Sequence, residues 1–162
     1  PPEVIAEPAA IIELGYPPLL EIIAWLVDQP LVYEEAALSV NPVVIAGWVG
    51  MFVTFLNLIP VGQLDGGHLV RSILGERQEL LAGLVPLVLF ALAGFLYAFR
   101  GVSLQGVMIW GLWGIITTFF VAVGPARPIV EDELDRKRII LGLITFGLGI
   151  LCFHPIPVQI HT

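Results

Sequence analysis

Apolar residues in this chain fall in long blocks and do not alternate with polar ones. Val40–Ile59 is interrupted only by Asn41, Pro42, Thr54 and Asn57. Leu80–Phe99 and Leu104–Val123 contain no charged residue, and Ile139–Phe153 is a shorter block of 15 residues. A helix needs about 20 apolar residues, within a range of roughly 17–25, to cross a bilayer. The first three blocks meet that length. The fourth reaches it only by extending into His154–Val158, or it lies partly at the interface. The pattern therefore predicts an all-α fold, a polytopic transmembrane helix bundle with spans at about 40–59, 80–99, 104–123 and 139–156.

The front of the chain reads differently. Ile11–Val27 is apolar but carries Glu13 and Glu21 and is broken at Pro17–Pro18. It is expected to be an interfacial or short buried helix, not a span. Pro1–Pro8 reads as a loop and Asp28–Ser39 as an acidic connection. The expected organisation is thus an extracytoplasmic or interfacial acidic segment over 1–39 and a transmembrane core over 40–162.

Composition agrees with the block pattern. Hydrophobic residues make up 57% of the 162 and charged residues 13%, against about 25% charged in a soluble domain, and the mean hydropathy is +0.94. The net charge of −7 repels phosphate, which argues against nucleic acid as a partner. A single cysteine, Cys152, excludes a disulfide scaffold within the chain. The first residue is Pro1, with no basic segment before an apolar run, so no signal peptide is visible and a fragment of a longer protein is expected.

Basic residues favour the cytoplasmic ends of spans. Arg71 and Arg77 follow the first span, Arg100 lies between the second and third, and Arg127, Arg136, Lys137 and Arg138 lie between the third and fourth. An outside N-terminus puts six of these inside and one outside; the reverse topology inverts the ratio. The first arrangement sets the end of the first span, near Leu58–Gly67, toward the cytoplasm. Seven of the 14 acidic residues fall before residue 36, consistent with an acidic extracytoplasmic loop or with a salt-adapted surface.

The stretch Asn57-Leu-Ile-Pro60-Val-Gly-Gln-Leu-Asp65-Gly-Gly-His68 carries the candidate chemistry. Pro60 removes a backbone donor and bends or breaks a helix. Gly62, Gly66 and Gly67 permit unusual backbone angles or close approach of another segment. Irregular backbone at membrane depth survives only when buried in protein or lining a wet cavity. An ionised Asp65 there costs about 2.5–3.5 kcal/mol, which a metal cation can offset. The pattern leaves a second reading open: Asp65 as a solvated turn or helix N-cap residue. Asn57 reads either as an interhelical hydrogen bonder or as an amide brought to the same cavity by the break. His68, three residues after Asp65, reads as a hydrogen-bond partner or a further ligand.

This stretch resembles the second signature of the site-2 protease family, the intramembrane zinc metalloproteases of peptidase family M50, with its N-x-x-P…x-D-G pattern usually ending in LDGG. Glu13-Leu-Gly-Tyr-Pro-Pro18 and Asn41-Pro42…Gly47-Trp48-Val49-Gly50 are similar to a branch found in archaea, cyanobacteria and plastids. The resemblance implies that Asp65 is the third zinc ligand. It implies that Asn57, eight residues earlier, positions substrate or stabilises the reacting oxyanion. It further implies Zn2+ as cofactor, transmembrane protein substrates cut near the cytoplasmic side, and residence in a lipid bilayer, expected to be that of a prokaryotic cell. The family's other signature, HExxH, supplies two His ligands and a Glu base. It is missing here: His68, His154 and His161 are the only histidines and none is followed by Glu. In the family that motif lies on the N-terminal side of LDGG, so it is expected upstream of Pro1, and this chain alone is expected to be inactive.

Two other classes of function fit parts of the pattern. A transporter-like protein can use an intramembrane acid as an ion or proton site, and an inactive protease homologue can bind transmembrane helices without cutting them. An aspartyl protease needs two carboxylates sharing a site, and Asp65 is the one acid suitably placed. Ser39, Ser72 and Ser103 lie in no nucleophile motif. Trp25, Trp48, Trp110 and Trp113 read as interfacial or packing aromatics. Gly142, Gly147 and Gly149 read as close-packing positions, and Arg71 and Arg77 as headgroup anchors.

Overall fold

A computed structural model describes residues 11–28, 42–124 and 135–161. The expected loop at Pro1–Pro8, most of the acidic connection and Arg127 lie outside the described residues. The described chain is predominantly helical: α1 (Pro18–Leu26), α2 (Pro42–Asn57), α3 (Asp65–Leu74), a 3-10 turn (Gly75–Arg77), α4 (Gln78–Arg100), α5 (Leu104–Val123) and α6 (Arg136–Leu151). Two short strands, β1 (Ile11–Leu14) and β2 (Val158–His161), complete it.

The strands were not expected. Pro17 and Pro18 start α1 but prevent it from extending backward, because a residue before proline is pushed out of helical angles. Residues 11–14 are extended instead and pair antiparallel with β2 in the register Ile11↔His161 to Leu14↔Val158. The Gly15 amide donates to the Pro157 carbonyl at 3.0 Å, which ties the front of the described chain to its end. At Gly15 any side chain would fall on the His154 ring and the Ile156 carbonyl. The Trp48 indole donates to the Gly15 carbonyl at 2.7 Å and stacks on Phe52, so α2 is docked to the same junction.

The α4–α5 hairpin is the centre of the fold. Gly101 ends α4 in the left-handed region at φ 64°, and the Val102 amide turns back to the Leu96 carbonyl at 3.2 Å. Ser103 then caps α5, its hydroxyl accepting from the Gly106 amide at 3.3 Å. Such a short connection makes the two helices antiparallel neighbours. Leu89, Leu96, Val102, Val107 and Trp110 form the core between them. Gly114 admits the Phe90 ring: a Cβ there would meet it at 2.7 Å. Trp110 is fully buried, packs on Phe55 and Phe153, and donates to the Pro155 carbonyl at 2.8 Å.

The helical run Asp65–Arg100 and α5 are long and apolar enough to cross a membrane. Only 22% and 28% of their apolar windows are buried within the described chain. Their exposed Leu80, Leu87, Val88, Phe99, Leu112 and Phe119 require cover by lipid or by more protein. The other two expected spans are shorter. Both α2 and α6 have 16 residues, about 24 Å at 1.5 Å per residue, against a hydrocarbon thickness of about 30 Å. The expected fourth span runs to 156, but α6 stops at Leu151, and Pro155 and Pro157 hold the following segment out of helix. Its start is set by Asp135, whose carboxylate accepts from the Arg138 amide at 2.9 Å.

Candidate metal and substrate site on the turn between two helices

Asn57 is the last residue of α2, and Asp65 is the first of α3. The intervening residues form a compact turn. Pro60 has no amide to continue α2, and the last amides to reach back into it are those of Leu58, to the Thr54 carbonyl at 3.0 Å, and Ile59, to the Leu56 carbonyl at 3.3 Å. The Val61 amide bonds to the Ile59 carbonyl at 2.8 Å and the Leu64 amide to the Val61 carbonyl at 3.0 Å. Gly62 takes φ 40°, which a side-chain-bearing residue resists.

Burial of the middle of the turn decides what it shows. Ile59 and Val61 are buried in a cluster with Leu56 and Ala82, packed against Phe120 and Val121 of α5. Asn57, before these anchors, and Gln63 and Asp65, after them, are exposed. The two glycines after Asp65 have a steric reason. A Cβ on Gly66 would fall on the Leu58 carbonyl, and one on Gly67 would meet the Val61 carbonyl at 2.6 Å. The first turn of α3 thus lies directly against the backbone of 58–62, which brings the Asp65 end back beside the turn that follows Asn57. Behind it, Gly149 of α6 receives Leu58, and Gly142 receives Leu69 and Ile73. Gly147 faces open space, so two of the three expected packing glycines act as such.

Asp65 is not the helix cap. Leu64 occupies that position with no side-chain cap hydrogen bond, and Asp65 stands in the first turn, where the positive end of the helix dipole favours a carboxylate. His68, one turn on, is also exposed, and its carbonyl accepts from the Ser72 hydroxyl. Among the described residues, no three His, Cys, Asp or Glu side chains come together to hold a metal. Asp65 contributes one exposed carboxylate at this turn. Arg71, read from sequence as a headgroup anchor, pairs with Glu79 at 3.2 Å across the 3-10 turn between α3 and α4. The pair is partly exposed and contributes at most about 1 kcal/mol.

Sequence reading did not single out Gln78. It opens α4 in a polar run, Glu76-Arg-Gln-Glu79, that looks like a solvated loop. It is 1% exposed, and neither atom of its carboxamide has a hydrogen-bond partner. An unpaired buried polar group costs about 1–3 kcal/mol. Its burial depends on α5 lying alongside, which no local signal encodes.

The turn, its glycines and the flanking Asn57 and Asp65 lie on a predominantly helical scaffold with two helices apolar enough to cross a membrane. The profile of Peptidase family M50 matches residues 20–96. The chain is 32% identical over 127 residues to "Probable zinc metalloprotease EGY2, chloroplastic" of Arabidopsis thaliana, covering 76% of this chain and 21% of that protein. It is 37% identical over 125 residues to "Probable zinc metalloprotease EGY1, chloroplastic" of the same plant, covering 76% and 21%. It is 32% identical over 129 residues to "Probable zinc metalloprotease EGY3, chloroplastic" of Oryza sativa subsp. indica, covering 78% and 20%. Residues 20–96 carry the match to peptidase family M50, the site-2 protease family, and the relatives extend the similarity over about three quarters of the chain. The chain spans about a fifth of the length of these relatives. They are chloroplast proteins by name, so they lend no support to the expected prokaryotic membrane. No solved structure matches the chain.

Proposed function

We propose that this chain supplies the Asp ligand and the substrate-facing turn of an intramembrane zinc metalloprotease acting on membrane-anchored proteins. The observation that carries this reading is the pairing of Asn57 and Asp65 on the two flanks of one turn, held by buried Ile59 and Val61 and closed by Gly66 and Gly67, in a chain whose residues 20–96 match peptidase family M50. Both side chains face away from this chain's own core. That is where a partner segment bearing the remaining ligands can meet them.

Asp65 would hold zinc through its carboxylate, with the other ligands and the general base outside the described residues. Zinc in such a site supplies Lewis-acid polarisation and a water acidified toward neutral pH. Asn57 offers an amide N–H to the scissile carbonyl as negative charge develops on its oxygen. The broken-helix turn presents this chemistry at the end of α2, and α4 and α5 act as spans. Arg71 and Arg77 lie on the cytoplasmic side under the positive-inside rule, so cleavage falls close to that face. Residues 1–39 belong to the opposite side, and 40–162 to the membrane core.

In the full-length protein, Asp65→Asn is expected to lower zinc content, measured by elemental analysis, and to abolish cleavage of a membrane-anchored reporter. Cleavage at the wild-type rate by that variant would exclude the ligand role. Asn57→Ala is expected to retain zinc while losing about 10²–10³ in turnover, the scale of removing one oxyanion donor. Loss of zinc with turnover per bound zinc unchanged would reassign it.

A further inference from the structure

Beside the turn lies a half-open cleft of about 300 Å³. It is lined by Gly62 of the turn, by Gln78, Glu79 and Ala82 from the start of α4, and by Phe120, Val121 and the capping Gly124 at the end of α5. The Gln78 carboxamide is buried against it with both its nitrogen and its oxygen unpaired. Buried polar groups without partners are rare and call for an occupant.

We propose that this cleft binds the main chain of an unwound substrate segment, with the Gln78 carboxamide pairing to one peptide group. This rests on the protease reading above and adds a substrate-positioning residue to it. The chemistry selects the occupant. A carboxamide with both ends free offers one donor and one acceptor in a plane, complementary to a peptide C=O and N–H. Gly124, where a Cβ would meet nothing within 4 Å, leaves room for backbone to approach, while Phe120 and Val121 supply apolar contact for side chains. The one charged lining residue is Glu79, which disfavours a phosphate or other anion. A single bridging water takes about 30 Å³, a tenth of the cleft. Gly62 belongs to the turn between Asn57 and Asp65, so a chain lying in the cleft runs onto the candidate site. A protease that cuts a transmembrane helix must first expose peptide groups that were bonded within it, and those groups need partners at the site.

The test uses the full-length protein carrying Asp65→Asn, in detergent, with a fluorescein-labelled leucine–alanine transmembrane peptide interrupted by a central Gly-Pro pair. Binding is read by anisotropy. Saturable binding is expected, and Gln78→Met is expected to weaken it about tenfold, while an uninterrupted helical peptide binds both proteins alike. If Gln78→Met raises thermal stability and leaves the affinity for the interrupted peptide within twofold, the amide takes no part in binding and the proposal falls. Absence of saturable binding also overturns it. Should Gln78→Met fail to fold, Val121→Trp fills the cleft from the α5 side and must give the same loss. Peptide binding that depends on Gln78, in a protein whose Asp65 form never cleaves, would refute the protease reading and leave this one standing.

Discussion

Gly66 and Gly67 hold the candidate site together more directly than the polar residues do. Their lack of side chains lets α3 start against the carbonyls of Leu58 and Val61, and that contact folds Asp65 back toward the end of α2. Gly66→Ala is therefore expected to destabilise the protein by about 1–3 kcal/mol or more, since backbone has to move to admit the methyl. Gly83→Ala, whose Cβ would meet nothing within 4 Å, is expected to be neutral or better in a helix interior. Thermal unfolding of the purified full-length protein distinguishes the two. At this scale much was legible in the order of residues. A Pro-Gly interruption followed by Asp-Gly-Gly announces a turn with a close approach, and Asn57 and Asp65 stand on its flanks as expected. Gln78 was not legible, because a glutamine between Arg77 and Glu79 looks solvated until α5 covers it.

At the scale of elements, glycine placement sets how closely helices pair. Gly114 and Gly111 both lie on α5, but only Gly114 faces the Phe90 ring; Gly111 faces open space. Gly114→Val is expected to part α4 from α5 and lower stability by about 1–3 kcal/mol, while Gly111→Ala leaves the thermal midpoint unchanged. Equal effects at the two positions would mean that the hairpin is not packed through this face. The block pattern predicted α5 with the observed bounds, because apolar continuity and the Ser103 and Gly124 boundaries agree there. It lengthened the last helix to 156 and put helix where β1 stands. Both misreadings share a cause: prolines bound the helix in each case, Pro17 and Pro18 at the start of α1 and Pro155 and Pro157 after α6, and the extended segments beyond them pair with each other although they lie far apart in sequence.

For the whole molecule, the decisive quantity is apolar surface without cover. The 23-residue α4 spans about 34 Å, slightly more than a hydrocarbon core of about 30 Å. If α4 crosses the membrane, its ends lie on opposite faces. In a Cys152→Ala background, single cysteines at Arg77 and Arg100 are expected to react with an impermeant maleimide from opposite sides of sealed vesicles. Labelling of both from one side would remove α4 as a span and with it the cytoplasmic placement of the site.

The order of residues by itself determined the helical, membrane-suited class, the break after Asn57, and the family signature that links Asn57 to Asp65. Those properties are local: hydropathy, chain stiffness at proline and freedom at glycine act over a few residues. Only the tertiary structure decided that the Asp65 turn is clamped between α5 and α6, that β1 joins β2, and that Gln78 is buried unpaired beside a cleft. These depend on which surfaces meet between stretches far apart in the chain, and contact of that kind leaves no trace in any single stretch.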